Sequence, residues 1–368
     1  MYRPPSNARH RRRQMRLART VAIVAVFVIL IAVLLSRTGG NSGTTATANT
    51  ANTGKTSKTA KTSTTPTTSN TATTLASAPT PAHVTTSFMP KELPTATSRS
   101  SVVLDGSSVL ILGGLTSSGS ASGSTSKVLR FDPATGAITA DGQLAAAVHD
   151  AAAAVVGGRP LVFGGGDEVH TVGTVQAYVG QAGQIIGHLP QSRSDLVAAT
   201  VGSHTYVLGG FDGTNMTPDV LQTDDGITFK TVTQLPVPVR YPGIAVVGNV
   251  IYLFGGQTSS QAGHQTGTVQ AVDVVAGTAR VIGNLPQALT EATAWVQGGA
   301  IFLAGGRQGS AAVAAVMRFD PTSGQVVAVG NLPRPTADAP VAVVGDVAYL
   351  FGGEGAARLT GIVKVTVG

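Results

Sequence analysis

Four carboxylates recur at one position of a repeating register. Asp150, Asp195, Glu291 and Asp338 each lie seven residues before a glycine, at Gly157, Gly202, Gly298 and Gly345. The same offset from Gly106 and Gly248 lands on Arg99 and Tyr241. One residue earlier stand Ser98, His149, Ser194, Arg240, Thr290 and Ala337. Brought to one place, such groups could form a polar pocket for a polyhydroxylated ligand such as a sugar, or for a cation. Like charges held together raise carboxylate pKa values, which suits acid–base work. Turn residues that cap strand ends or bond loop amides give the same composition, and that reading stays open. The candidate ligand residues are therefore Arg99, His149, Asp150, Asp195, Arg240, Tyr241, Glu291 and Asp338.

A second cluster gathers on one stretch. His149 and Asp150 precede Asp167, Glu168 and His170. Oxygen and imidazole ligands can hold a divalent metal, but the spacing matches no metal motif, so no metal or other cofactor is expected. The chain has no cysteine, which excludes disulfides, Cys-ligated metals and thiol nucleophiles. "NTGKTS" (52–57) ends like a phosphate-binding loop, yet Asn49 stands where that loop needs glycine.

The elements that must position these residues come from a repeat. Six apolar runs end in a glycine doublet, at Gly113-Gly114, Gly164-Gly165, Gly209-Gly210, Gly255-Gly256, Gly305-Gly306 and Gly352-Gly353. A turn glycine and a second apolar run precede each doublet, which predicts a β-hairpin. A polar loop, a third strand, a turn, a fourth strand and usually Leu-Pro follow. "RFDPATG" (130–136) and "RFDPTSG" (318–324) are the same turn between third and fourth strands, four repeats apart. Four strands per unit and six units predict an all-β, six-bladed propeller over 87–368. The sixth unit lacks a fourth strand, which "TTSFMPKELP" (85–94) would supply, joining the two ends of the domain in one sheet. First strands line the channel of a propeller, so the candidate residues fall at its mouth. The polar loops 115–126 and 257–267 would stand beside them as flexible segments.

The doublet after an apolar strand and the closing Leu-Pro resemble the kelch-repeat family. Its blades usually carry a tyrosine and a tryptophan after the doublet. This chain has one tryptophan, Trp295, in a first strand, so the blades are expected to be packed mainly by Val, Ile, Leu and Ala. Among related propellers, the galactose oxidase copper radical site needs a cysteine, which is absent here. Sialidase chemistry needs an arginine cluster with a nucleophilic tyrosine. Arg99, Arg193, Arg240, Arg334 and Tyr241 lie near the expected face, without a motif that ties them together. "TDDGITF" (223–229) looks like a sialidase Asp box, a structural turn far from that chemistry.

The chain ahead of the repeat differs in kind. Eight arginines and no acid occupy residues 1–37. "TVAIVAVFVILIAVLLS" (20–36) is uncharged and just reaches the roughly 17 residues that span a bilayer. Basic residues ahead of it place the tail 1–19 in the cytoplasm and the rest outside, as a single-pass signal-anchor at the cell membrane. An arginine-rich anchor on a chain without cysteine has a bacterial look. A cleaved signal peptide would want small residues at alternate positions where "VLLSRTGG" stands. Residues 37–86 are rich in Thr, Ser and Ala, with almost nothing to bury, and read as a disordered linker. The net charge of +7 arises in this leader; beyond residue 90 the chain carries 18 acids against 14 basic residues, which sets nucleic acid aside.

The expected function is thus an extracytoplasmic interaction module that binds a protein or a cell-surface glycan at the top face. No nucleophilic triad points to an enzyme. The alternative is a carbohydrate-active enzyme such as a sugar mutarotase or epimerase, since a sialic-acid mutarotase shares the kelch propeller and needs only acid–base groups. A purely structural surface protein is the third reading.

Overall fold

The computed structural model describes residues 83–118, 121–261 and 263–368. The tail, the apolar segment 20–36 and most of the linker lie outside the described residues. Among the described residues there is no helix long and apolar enough to cross a membrane. The described residues belong to one compact unit.

The unit is all-β and propeller-like. Each repeat opens with a hairpin such as Gly243–Val247 and Val250–Phe254, followed by a third and fourth strand, Thr268–Asp273 and Thr278–Asn284. The second strands are apolar at consecutive positions and buried on both faces; Val250–Phe254 is only half-exposed at its first residue. The turn glycines have φ between 55° and 62° at Gly106, Gly157, Gly202, Gly248, Gly298 and Gly345. That conformation suits the tight turn of a two-residue hairpin loop and favours glycine.

Closure follows the expected route. Val84–Phe88 pairs antiparallel with Ile362–Val367, from Val84 opposite Val367 to Phe88 opposite Val363. This strand, three residues of which precede position 87, covers the otherwise open edge of the last sheet.

Six separate sheets were expected, and the strands form five of four or more strands. The units of 101–143 and 152–188 are joined in one eight-stranded sheet through a single parallel pair, Gln143 with Ala182. Glycine lets the two outer strands approach. A Cβ on Gly142 would lie 2.1 Å from the Gln181 carbonyl oxygen, and one on Gly183 would lie 2.1 Å from the Ala145 nitrogen. The Tyr178 hydroxyl donates to Asp141 across the same junction at 2.8 Å.

The core is divided among six clusters of buried residues. Each joins side chains of two neighbouring units. Val, Ile, Leu and Ala make up most of each cluster, as expected, and phenylalanine joins them. The largest fully buried side chains include Phe131, Phe163, Phe254, Phe302, Phe319 and Phe351. Phe131 meets Phe351 edge-on at 5.2 Å and Phe254 meets Phe319 likewise at 5.1 Å. Bulky rings fill the gaps between twisted sheets that the single tryptophan cannot fill.

The glycine doublets seat the units against one another. The second glycine of every doublet donates its N–H to a carbonyl of the next unit, from Gly114 to Val148 at 2.8 Å around to Gly353 and Thr97 at 2.9 Å. Its φ lies between 94° and 113°. A Cβ on the first glycine would strike a carbonyl oxygen of the next unit, at 2.0 Å for both Gly255 and Gly305. The turns "RFDPATG" and "RFDPTSG" repeat for a local reason. Asp132 accepts from the Ala134 N–H at 2.9 Å and Asp320 from the Thr322 N–H at 2.8 Å, each closing an Asx turn.

Gly305→Ala is expected to destabilise the domain by at least about 3 kcal/mol, adding a backbone clash to the left-handed penalty of about 1–2 kcal/mol. Gly345→Ala, with open space around its Cβ, should lose only that penalty. Denaturant unfolding of both variants checks this; equal losses would show that the doublet contact does not matter.

Candidate functional site

The six residues at the candidate register share an unusual backbone. Arg99, Asp150, Asp195, Tyr241, Glu291 and Asp338 have φ between 52° and 59°. Among the described residues the only other non-glycine with positive φ is Gln181. The left-handed turn separates two tasks. The residue before it pairs with the residue after a glycine doublet: His149 with Gly166, Ser194 with Phe211, Arg240 with Gln257, Thr290 with Arg307 and Ala337 with Glu354. The residues after it enter the first strand. The kinked residue itself points its N–H and C=O around the mouth. Asp150 N–H donates to Arg99, Asp195 to Asp150, Tyr241 to Asp195, Glu291 to Tyr241, Asp338 to Glu291 and Arg99 to Asp338, at 2.8–3.1 Å. The circle is closed.

This backbone brings the six side chains to one cavity of about 360 Å³ along the channel, walled below by small residues such as Ala152, Gly243 and Ala294. A second cavity of about 600 Å³ opens above it on the top face. Arg99, Asp150, Asp195 and Tyr241 line both. His149, Phe211 and Arg240 line the upper cleft.

An ion-pair network fills the mouth. Arg99 reaches Asp150 at 3.1 Å, Glu354 at 3.2 Å and Asp338 at 3.5 Å. It also donates to the Tyr241 hydroxyl at 2.9 Å, from a unit three repeats away. Arg240 pairs with Asp195 at 3.4 Å and donates to Gln257 at 2.8 Å. Its guanidinium lies 5.2 Å from the Phe211 ring centre and 5.3 Å from that of Tyr241. Arg307 holds Glu291 at 2.5 Å and Glu354 at 2.9 Å.

Glu354, Arg307, Gln257 and Phe211 were missed in the sequence. All four are the first residue after a doublet, so the register that exposed the kinked residues also contains them. Their partners make them legible only once that position is known to pair with the residue before the kink. Beside the expected Arg99 and Arg240, Arg307 and Arg358 also contact the acids of the mouth.

Burial sets the protonation of the mouth. Asp195 is pushed up to about 7, chiefly by burial and next by Asp150, with Arg240 opposing. Burial likewise holds the Tyr241 phenol well above its usual range and lowers His149. Burial would raise Glu354, but Arg99 and the Ser98 hydroxyl bond hold it below the ordinary glutamate value.

The remaining candidates from the sequence lie apart from the mouth or play structural parts. Arg193 is buried and donates to the carbonyls of Gly209 at 3.3 Å and Asp219 at 3.2 Å. Arg334 lies over the Phe88 ring at 4.6 Å, on the closing strand. Of the arginines suggested by sialidase chemistry, Arg99 and Arg240 therefore meet at Tyr241, while Arg193 and Arg334 lie apart. Asp225 caps the N–H groups of Ile227 and Thr228 at 2.8 Å each, so "TDDGITF" is a turn. His149 Nδ1 contacts Ser124 at 2.8 Å, while His170 lies 3.9 Å from Asp167. Among the described residues no group of three or more His, Asp or Glu side chains is placed to hold a metal ion. The loop 115–126 is a hairpin, Leu115–Ser118 with Ala121–Ser124, that also pairs with Thr97–Ser98.

The solved structure of YjhT is similar to this chain. The two share 16% identity with a TM-score of 0.65, over 75% of this chain and 99% of that one. The likeness shows a shared fold. No protein-family model matches the sequence, and no curated protein matches it.

The geometry can hold a polar ligand between fixed charges and two aromatic faces, and it keeps one carboxyl near neutrality. A carboxyl whose folded pKa is raised binds its proton more tightly folded than unfolded, so stability falls as pH rises between the two values. Asp195→Asn should therefore gain on the wild type by on the order of 3 kcal/mol from about pH 4 to about pH 7. Urea unfolding at both ends of that range checks it. A constant difference would place Asp195 at an ordinary pKa.

Proposed function

We propose that this chain is a membrane-held, extracytoplasmic, six-bladed kelch-type propeller that binds a glycan or protein ligand at its top face. The merged eight-stranded sheet is read as two blades linked through one residue pair, since the backbone circle and the core clusters both run in sixes. Residues 20–36 would anchor it and 37–86 would hold the propeller away from the bilayer, with the arginine-rich tail in the cytoplasm.

The observation that carries the reading is the set of six left-handed residues. Such a conformation costs about 1–3 kcal/mol where the residue is not glycine, and it gathers at ligand sites. Aspartate tolerates it; Arg99, Tyr241 and Glu291 have no such excuse. Their side chains are kept where glycine would relieve the backbone. The upper cleft favours a glycan. Phe211 and Tyr241 give flat apolar faces around Arg240, and carboxylates and guanidinium groups supply fixed hydrogen-bond partners for hydroxyls. A sugar mutarotase or epimerase is the second reading, favoured by one observation. Asp195, with its carboxyl near 7, lies at the cleft beside Tyr241 and can both hold and give a proton at neutral pH.

Calorimetry of the detergent-solubilised full-length chain against a panel of cell-surface oligosaccharides tests binding. Phe211→Ala and Arg240→Gln are expected to weaken the strongest of them about tenfold. Wild-type affinity in both variants would remove the cleft from the site. Faster anomer exchange of a bound sugar than in buffer would favour the enzyme. Protease added to intact cells should digest the propeller; full protection would overturn the proposed topology.

A further inference from the structure

The charges at the mouth are unevenly shared. Five carboxylates, Asp150, Asp195, Glu291, Asp338 and Glu354, meet four arginines, Arg99, Arg240, Arg307 and Arg358. Glu354 alone contacts three of those arginines. Among the described residues Asp338 has only Arg99 within ion-pair reach, its Nε 3.5 Å from Oδ2. That oxygen is buried and accepts no hydrogen bond among the described residues, and the side chain is 6% exposed. The neighbouring Glu291 bonds Arg307 through one oxygen. Both residues line the channel cavity, and their backbones are joined by the 3.0 Å bond from Asp338 N–H to Glu291. A buried acceptor without a donor is costly, so this corner of the mouth is set up for a donor it does not itself contain.

We infer that Asp338 and Glu291 form the seat of a primary ammonium group, carried by a small ligand that enters from the top-face cleft. The ligand class, an amino sugar, rests on the glycan reading above. An ammonium is compact and brings three donors, whereas a second guanidinium would need a flat two-pronged partner where Arg99 already lies 3.5 Å from Asp338. Calcium asks for six or more oxygens, and no metal-binding group of three side chains is present among the described residues. The cleft and the channel share Arg99, Asp150, Asp195 and Tyr241, so a sugar in the cleft borders the seat.

Asp338 is held well above the usual carboxylate range. Burial is the largest cause, Arg99 opposes it, and Glu291, Asp150 and Glu354 add to it. Arg307 also faces it from a greater distance. A bound ammonium offsets that burial, so Asp338 gives up its proton to solvent as the ammonium arrives, and the charge at the mouth is unchanged.

Calorimetry of the full-length chain with glucosamine, glucose, N-acetylglucosamine and cadaverine tests the seat. Glucosamine should bind at least tenfold tighter than glucose or N-acetylglucosamine, and Asp338→Asn and Glu291→Gln should each remove that preference. Binding of neutral sugars with no preference for glucosamine overturns the seat and leaves the glycan reading standing. Binding of no sugar at all overturns both. Cadaverine as tight as glucosamine overturns the sugar assignment; weak cadaverine binding supports it. Should Asp338→Asn fail to fold, the wild type decides the matter. Near pH 6, where the amine is fully protonated, the heat of glucosamine binding should vary with the ionisation enthalpy of the buffer, because a proton is released. Heats independent of buffer overturn the inference.

Discussion

A closed circle of six backbone hydrogen bonds at the channel mouth sets the geometry of this domain. Each bond leaves from one unit and arrives at the next, at 2.8–3.1 Å, and the last returns to Arg99. To take part, a residue must turn its N–H and C=O sideways just before its chain enters the first strand. That requires the left-handed conformation at all six positions. Because the circle is made by backbone, the side chains are free of it. Evolution of a ligand site at this mouth can therefore proceed without undoing the join between units.

The glycine doublets do the complementary work one layer out. Their carbonyl contacts leave no room for a Cβ, so neighbouring units come closer than side chains would permit. Phenylalanine rings then fill the wedge that remains. The same logic explains the merged sheet, where Gly142 and Gly183 let two outer strands meet and Tyr178 ties them through Asp141.

Electrostatics at the mouth follow from this closeness. Five acids in one small space would repel strongly if left alone. Arginines from the loops after the doublets pair with them, and Arg99 crosses to Tyr241 on the far side. Two acids stay poorly served. Asp195 is near neutrality because it is buried beside Asp150, and Asp338 is raised because it is buried with Arg99 as its one ion-pair partner among the described residues. The chemical character of the site thus comes from unequal sharing of cations.

The sequence by itself determined the repeat, the hairpins, the strand that closes the domain and the register of the six mouth residues. All are local or periodic, and glycine marks them because turns with positive φ and close carbonyl approaches exclude a side chain. It also showed Arg99, Asp150, Asp195, Tyr241, Glu291 and Asp338 as equivalent positions. Only the tertiary structure decided which charges meet. Glu354 is 255 residues from Arg99 along the chain, and nothing local in either segment records the 3.2 Å bond between them. Arg193 and Arg334 look equal to Arg99 and Arg240 in the sequence, yet one turns inward to carbonyls and the other lies over Phe88. Periodicity reports where a backbone goes; the direction of a long side chain depends on the space and charge that other units bring to it.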